Sequence, residues 1–342
     1  MNIAVIGCGS LGGVIAARLL KAEEHRVFII DFDRKIQKAV AENGLVIRTG
    51  KKITIQKADV LDNETQLPGK VDLAIIATKA NNLIKTAQSF LPYMKPDAVF
   101  ITIQNGLVGL DLAHAEGVGA ERVIQSAVLW SATMHKDPLC YEITATGSFV
   151  IGSISQKPLK SLEKVQSVLE SVFSIIISSN VEGALWAKMH ITSALTSLGA
   201  ITGMRFGKMT RRRKTRNLII GIGREVMAVS KAKGVKLEPL GEKLNVEFLL
   251  DDKGSSKWRK HLIIRLIGFH HRKTESSMLA DIKAGKKTEI EFLNGVIQRY
   301  AQEGGIDTPL NAMVVELVSQ LESGSLQPSP ANIRYFKGIE FP

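Results

Sequence analysis

Several residues in the second half of the chain have the chemistry to move a proton or hold a small anion. Lys188, Thr192 and Thr196 recur at i, i+4 and i+8, which sets an amine and two hydroxyls along one stripe of a helix. Ile191, Leu195 and Leu198 flank the stripe, so the helix is expected to be largely buried. A lysine there is costly unless it is paired or faces a polar cleft, and both a structural salt bridge and catalysis are open to it. Further on, Ser277 stands in the run Ser276-Ser277-Met278-Leu279-Ala280-Asp281. Glu289 follows Lys287-Thr288 and would fall in the first turn of a helix, where a carboxylate by itself compensates the helix dipole.

The first half offers a different chemistry. The apolar strand Asn2-Ile3-Ala4-Val5-Ile6 runs into Gly7-Cys8-Gly9-Ser10-Leu11-Gly12, a GxGxxG turn placed where a dinucleotide-binding unit needs it. Gly7 permits the tight turn, Gly9 lets the backbone approach a pyrophosphate, and Gly12 lets the next helix pack closely. The backbone from Cys8 through Ser10 and Leu11 would then present N–H groups to the phosphates. Asp31, at the end of the second apolar run, stands where such a fold holds the ribose hydroxyls. Lys79 and Asn105 each fall just past the carboxyl end of a strand, the edge at which open α/β sheets bind ligands. A solvated loop lysine and an ordinary Asn-Gly turn are the alternatives at those two positions.

These residues require elements to position them. Strands at 2–6, 27–30, 71–77 and 99–103 alternate with helical stretches, which predicts a doubly wound α/β sheet up to about residue 180. The runs 45–48 and 53–56, separated by Thr49-Gly50-Lys51-Lys52, read as a hairpin inserted into that pattern. Further strands are expected near 122–130, 140–146, 148–152 and 174–178, with a helix near 159–172. Beyond Val181 the spacing becomes helical, with candidates near 182–202, 212–233, 257–267, 274–283, 288–303 and 308–322. Thr288 with Glu291 has the form of a capping box for the fifth of these. The expected organisation is therefore a dinucleotide-binding domain over 1–180, a helical catalytic domain over 181–323, and a loosely attached tail over 324–342.

Composition narrows the functional classes. Apolar residues make up 45% of the 342-residue chain, and no run approaches the roughly 20 needed to span a membrane. The first strand begins at residue 2, so a cytoplasmic protein without a leader is expected. Cys8 and Cys140 fit a reducing compartment and read as small filler. The net charge is +12, and its excess lies in residues 171–342, with 26 Lys and Arg against 16 Asp and Glu. Neither the Arg211-Arg212-Arg213-Lys214 cluster nor the one around His270-His271-Arg272-Lys273 carries aromatic interleaving or a nucleic-acid motif. A solvated face, or a field that attracts an anionic substrate and a phosphate-bearing cofactor, is the expected use. The histidines show no metal-ligand spacing.

Taken in order, GCGSLG at the N-terminus, ATKA at Lys79, QNG at Asn105, LWAKM at Lys188, SSML-D at Ser277 and KKTEIEFLNG at Glu289 resemble the ketopantoate reductase family from residue 1 to about 321. The resemblance implies reduction of 2-dehydropantoate to pantoate with NADPH or NADH, on the route to pantothenate and coenzyme A. It implies Lys188 as the catalytic lysine, Glu289 as the acidic residue that helps hold substrate, and Ser277 as a substrate contact. Lys79 and Asn105 match residues around cofactor and active site, and a homodimer is compatible with the pattern. Two departures bear on specificity. Thr192, Thr196 and Thr274 stand where relatives commonly carry asparagine, which points to an altered pocket and keeps other 2-oxo acids open. Asp31 would repel a 2′-phosphate and favours NADH, with Arg34 close enough to complicate that choice. A non-catalytic dinucleotide-binding regulator is the alternative outside enzymes.

Overall fold

In the computed structural model, residues 1–136, 138–155, 160–240, 244–250 and 257–339 are described. The chain forms two compact units, Met1–Gln104 with Val108–Val181, and Asn105–Leu107 with Glu182–Pro342.

Twelve strands among the described residues belong to the first unit: β1 (Asn2–Ile6), β2 (Arg26–Ile30), β3 (Leu45–Thr49), β4 (Lys52–Gln56), β5 (Val60–Leu61), β6 (Val71–Ile76), β7 (Met94–Thr102), β8 (Val123–Val128), β9 (Ser131–Lys136), β10 (Leu139–Ala145), β11 (Ser148–Ser153) and β12 (Ser174–Ile177). Its helices are α1 (Ser10–Ala22), α2 (Arg34–Asn43), α3 (Leu83–Phe90), α4 (Val108–Ala113) and α5 (Lys160–Glu170). The main sheet has the order β12-β11-β8-β7-β6-β1-β2-β5. β1 pairs in parallel with β2 on one side (Ile3 opposite Val27) and with β6 on the other (Ile3 opposite Leu73). That is the strand-order reversal at which doubly wound sheets bind ligands. The continuous apolar runs of β1 and β6 are buried because both faces are covered, as parallel strands require.

Two expectations are corrected here. The 45–56 hairpin does form, Val46 opposite Ile55, but it joins β9 and β10 in a separate sheet of order β4-β3-β10-β9. That small sheet packs on α1, where Tyr141 of β10 lies so close to Gly13 that any side chain there would collide with its ring. The run 122–130 is one strand only to Val128; Leu129 and Trp130 carry the chain into β9. At its far side the sheet also departs from parallel, because β11 runs antiparallel to β8.

The second unit is helical: α6 (Val181–Thr202, its first residue closing the first unit), α7 (Phe206–Arg211), α8 (Arg213–Ala232), α9 (Val246–Leu250), α10 (Lys257–His270), α11 (Ser277–Lys283), α12 (Asn294–Glu303) and α13 (Pro309–Glu322). The capping box does not form. Residues 290–292 make a single 3-10 turn, and α12 begins only at Asn294. The tail is anchored rather than loose. Ser329 N–H and Asn332 Nδ2 both donate to the carbonyl of Ile201, and Phe336 is buried. No helix among the described residues is long and apolar enough to cross a membrane.

Candidate active site

In the first unit the glycines of the loop after β1 act as the motif demands. Gly7 has φ +98°, and a Cβ there would lie 2.9 Å from the carbonyl carbon of Ala77, so both conformation and space call for glycine. A Cβ on Gly12 would collide with the carbonyl oxygen of Gly7. Gly9 differs, because a Cβ there would meet nothing within 4 Å. It caps α1 without a side-chain hydrogen bond, so open space lies where the leading N–H groups of a thirteen-residue helix project. Ser10, Leu11 and Gly12 supply those groups, and the dipole favours an anion beside them. This open, uncapped cradle fits the pyrophosphate of a dinucleotide.

Cys8 has another use. Its amide donates to the Asp31 carboxylate at 2.6 Å, and its thiol is buried 3.2 Å from the Tyr141 hydroxyl. Burial pushes that thiol up to about 12, so Cys8 is an inert structural residue at neutral pH. The second Asp31 oxygen accepts the Asp33 amide at 2.8 Å. Asp31 thus ties the glycine loop to the end of β2 while each oxygen keeps a lone pair for a ribose hydroxyl. Arg34, exposed, opens α2. Ser10 Oγ accepts the Met134 amide at 3.1 Å. Past β6, Lys79 is exposed and caps a 3-10 turn at 80–82.

In the second unit Lys188 lies within electrostatic reach of Glu289. Lys188, half-buried on α6, has its ammonium pushed down by burial to about 8, while the charge of Glu289 works in the opposite direction. A lysine so placed is protonated at neutral pH yet close to releasing its proton. His190, two residues on, is no rival. Burial lowers it to about 4, and its Nδ1 donates to the Trp186 carbonyl at 2.6 Å. Asn105 belongs to this unit too. The adjoining Gly106 has φ +90° and lies so tightly on the Phe292 carbonyl that a Cβ would collide with it, which seats the Asn105 turn against the segment carrying Glu289.

The threonines are less uniform than their spacing suggests. Thr192 is half-buried, whereas Thr196 is buried and its hydroxyl donates to the Thr192 carbonyl. Thr274 is buried with its hydroxyl oxygen unpartnered. Ser277 is exposed at the start of α11. Its neighbour Ser276 makes the contact with α6, donating to the Thr196 carbonyl at 2.6 Å and accepting from Leu279 N–H as helix cap.

Three supporting residues escaped the sequence reading. Ser276 had a signal, since serine ahead of a helical run is a preferred cap. Gln104 had none. It is buried and its amide donates at 2.9 Å to both Ile76 and Thr78 carbonyls, fixing the chain beyond β6. Glu322 accepts from Thr288 across 34 residues, which no local pattern announces. In the basic cluster, Arg211, Arg212, Arg213 and Lys214 are exposed, while Arg216 donates to the Thr210 and Arg211 carbonyls that end α7.

The family model "Ketopantoate reductase PanE/ApbA" matches residues 3–156, and its partner "Ketopantoate reductase PanE/ApbA C terminal" matches 180–322. The 2-dehydropantoate 2-reductase of Pyrococcus abyssi is 25% identical over 325 residues, covering 94% of this chain and 98% of that protein. The enzyme of the same name from Lactococcus lactis subsp. lactis is 24% identical over the same shares. Among solved structures, a ketopantoate reductase family protein from Ralstonia eutropha matches with TM-score 0.77 and 25% identity, covering 95% of this chain and 99% of its own. D-mandelate dehydrogenase, in a ternary structure with NADH and anilino(oxo)acetate, matches over the same shares with TM-score 0.82 and 20% identity, a likeness of fold.

Proposed function

The chain belongs to the ketopantoate reductase family, and on that premise we propose that it reduces the C2 ketone of a 2-oxo acid with a nicotinamide nucleotide, its substrate being 2-dehydropantoate. What supports the reading is a half-buried ammonium at Lys188 on α6, within electrostatic reach of the Glu289 carboxylate in the same helical unit. When bound, the reduced nicotinamide supplies the hydride.

Every other part of the chemistry falls to side chains of the chain. Negative charge develops on the carbonyl oxygen as the ketone is reduced, and an ammonium at Lys188 stabilises it and then donates its proton. A pKa near 8 suits that task, since the group is charged at pH 7 but gives up its proton at small cost. Glu289 keeps Lys188 protonated against the pull of burial, and its carboxylate accepts a hydrogen bond from the substrate hydroxyl to hold the ketone in line. Asn105, beside the Glu289 segment, offers an amide to the substrate, and Ser277 offers a hydroxyl to the substrate carboxylate. Gly7, Gly9, Ser10, Leu11 and Gly12 cradle the pyrophosphate, Asp31 holds the ribose, and Lys79 lies at the same strand edge. Cys8 supports them through its bond to Asp31.

NADH is the proposed nucleotide, because Asp31 with Asp33 beside it sets negative charge where a 2′-phosphate would sit. A second reading, reduction of another branched or hydroxylated 2-oxo acid, is favoured by Thr192, Thr196 and Thr274. A threonine is shorter than asparagine and has no amide to offer a substrate. Rates of nucleotide oxidation with 2-dehydropantoate and a panel of 2-oxo acids separate the two readings. A clear preference for another acid replaces the substrate, and no turnover of any of them removes the reaction.

A further inference from the structure

Glu289 lies in a short irregular stretch between α11 and α12, yet helix α13 grips that stretch on both sides. On the N-terminal side, the Glu322 carboxylate accepts from the Thr288 amide at 2.8 Å and the Thr288 hydroxyl at 2.7 Å, and its other oxygen meets Lys287 Nζ at 2.8 Å. The same Thr288 hydroxyl accepts from Ile290 N–H at 3.2 Å, so its bonds bracket Glu289. On the C-terminal side, buried Asn294 donates to Asn311 Oδ1 at 2.9 Å. Asn311 in turn donates from Nδ2 to buried Glu225, which also accepts the Leu310 and Asn311 amides at 2.8 Å and so caps α13 from α8.

Two physical oddities need a reason. Glu322 is the last residue of α13, where the dipole disfavours a carboxylate. Glu225 is a fully buried carboxylate whose described partners are backbone and amide groups. Both are explained if α13 is a strut, fixed at its N-terminus by Glu225, whose two ends fix the backbone on either side of Glu289. The Gly106 contact at Phe292 closes the same segment from a third direction.

We propose that Glu322 and Asn311 are positioning residues which, through Thr288 and Asn294, hold the Glu289 carboxylate in the place from which it acts on Lys188. The proposal rests on the electrostatic link between Lys188 and Glu289 in the proposed function, but its readout needs no turnover. The test is the pH dependence of Lys188 labelling by a small amine reagent, read by mass spectrometry on the whole protein, in wild type, Glu289→Gln, Glu322→Ala, Glu322→Gln and Asn294→Ala. Glu289→Gln should move the Lys188 midpoint down by about one pH unit. Glu322→Ala and Asn294→Ala should move it in the same direction by a large part of that amount. Glu322→Gln, which keeps an oxygen for Thr288, should restore most of the wild-type value. Should Asn294→Ala fail to fold, Glu322→Ala decides alone, since it lies at a helix end. An unchanged midpoint in Glu322→Ala, with Glu289→Gln shifted, would overturn the positioning role, as would an unchanged midpoint in Glu289→Gln itself. Absence of 2-oxo acid reduction would strike at the proposed function and leave this result standing.

Discussion

The Asp31 carboxylate accepts the Cys8 amide at 2.6 Å, so the residue that would hold the ribose also braces the glycine loop. On the proposed reading, selectivity and loop geometry are thereby coupled. We expect NADH to be used with a kcat/KM at least about tenfold above that for NADPH, the size of one close like-charge repulsion near a surface. Asp31→Asn should narrow the ratio, and steady-state rates with both nucleotides measure it. A strong NADPH preference in wild type would assign the exposed Arg34, rather than Asp31, the decisive role.

The two inner glycines of the loop should fail in different ways. A methyl at Gly9 meets open space, so Gly9→Ala should fold with wild-type stability and lose nucleotide affinity. A methyl at Gly12 strikes the Gly7 carbonyl, so Gly12→Ala should lose stability as well. Thermal melts with and without nucleotide distinguish them, since ligand stabilisation should vanish in both but only Gly12→Ala should start lower.

In the proposed mechanism Lys188 sets the pH dependence of reduction. The ammonium must be present to donate, so kcat/KM for reduction should be flat below about 8 and fall about tenfold per pH unit above it. Glu289→Gln removes the charge that holds the proton on, and the falling limb should move to lower pH. Lys188→Ala should reduce kcat by roughly 10²- to 10⁴-fold, the usual value of one positioned acid, with nucleotide binding by fluorescence titration unchanged. Near-normal turnover would remove Lys188 from its role.

Glu225 should matter for folding more than for any single contact it makes. Glu225→Ala leaves the Leu310 and Asn311 amides buried without an acceptor, and the loss should be about 2–4 kcal/mol. The denaturant midpoint reports it.

How far the sequence could be read follows the range of the interactions. The glycine loop, β1, β6 and α6 were legible because each is written in neighbouring residues, as a continuous apolar run or a 3.6-residue repeat. The hairpin was legible, but its sheet was not, since pairing of β3 with β10 joins Ile47 to Tyr141 and leaves no local trace. The surroundings of Glu289 were misread. Thr288 looked like a helix cap, but its hydroxyl is committed to Glu322, and the helix starts six residues later. The tail looked loose because Ser325, Pro328, Ser329 and Pro330 gather at its start, whereas the carbonyl of Ile201 holds it in place.

The most direct test is nucleotide oxidation by purified protein given 2-dehydropantoate, with Lys188→Ala alongside. We expect turnover with 2-dehydropantoate above that with any other 2-oxo acid, faster with NADH, and abolished to within a few per cent by the substitution. Tight nucleotide binding with no reduction of 2-dehydropantoate or any other 2-oxo acid would contradict the proposed function outright.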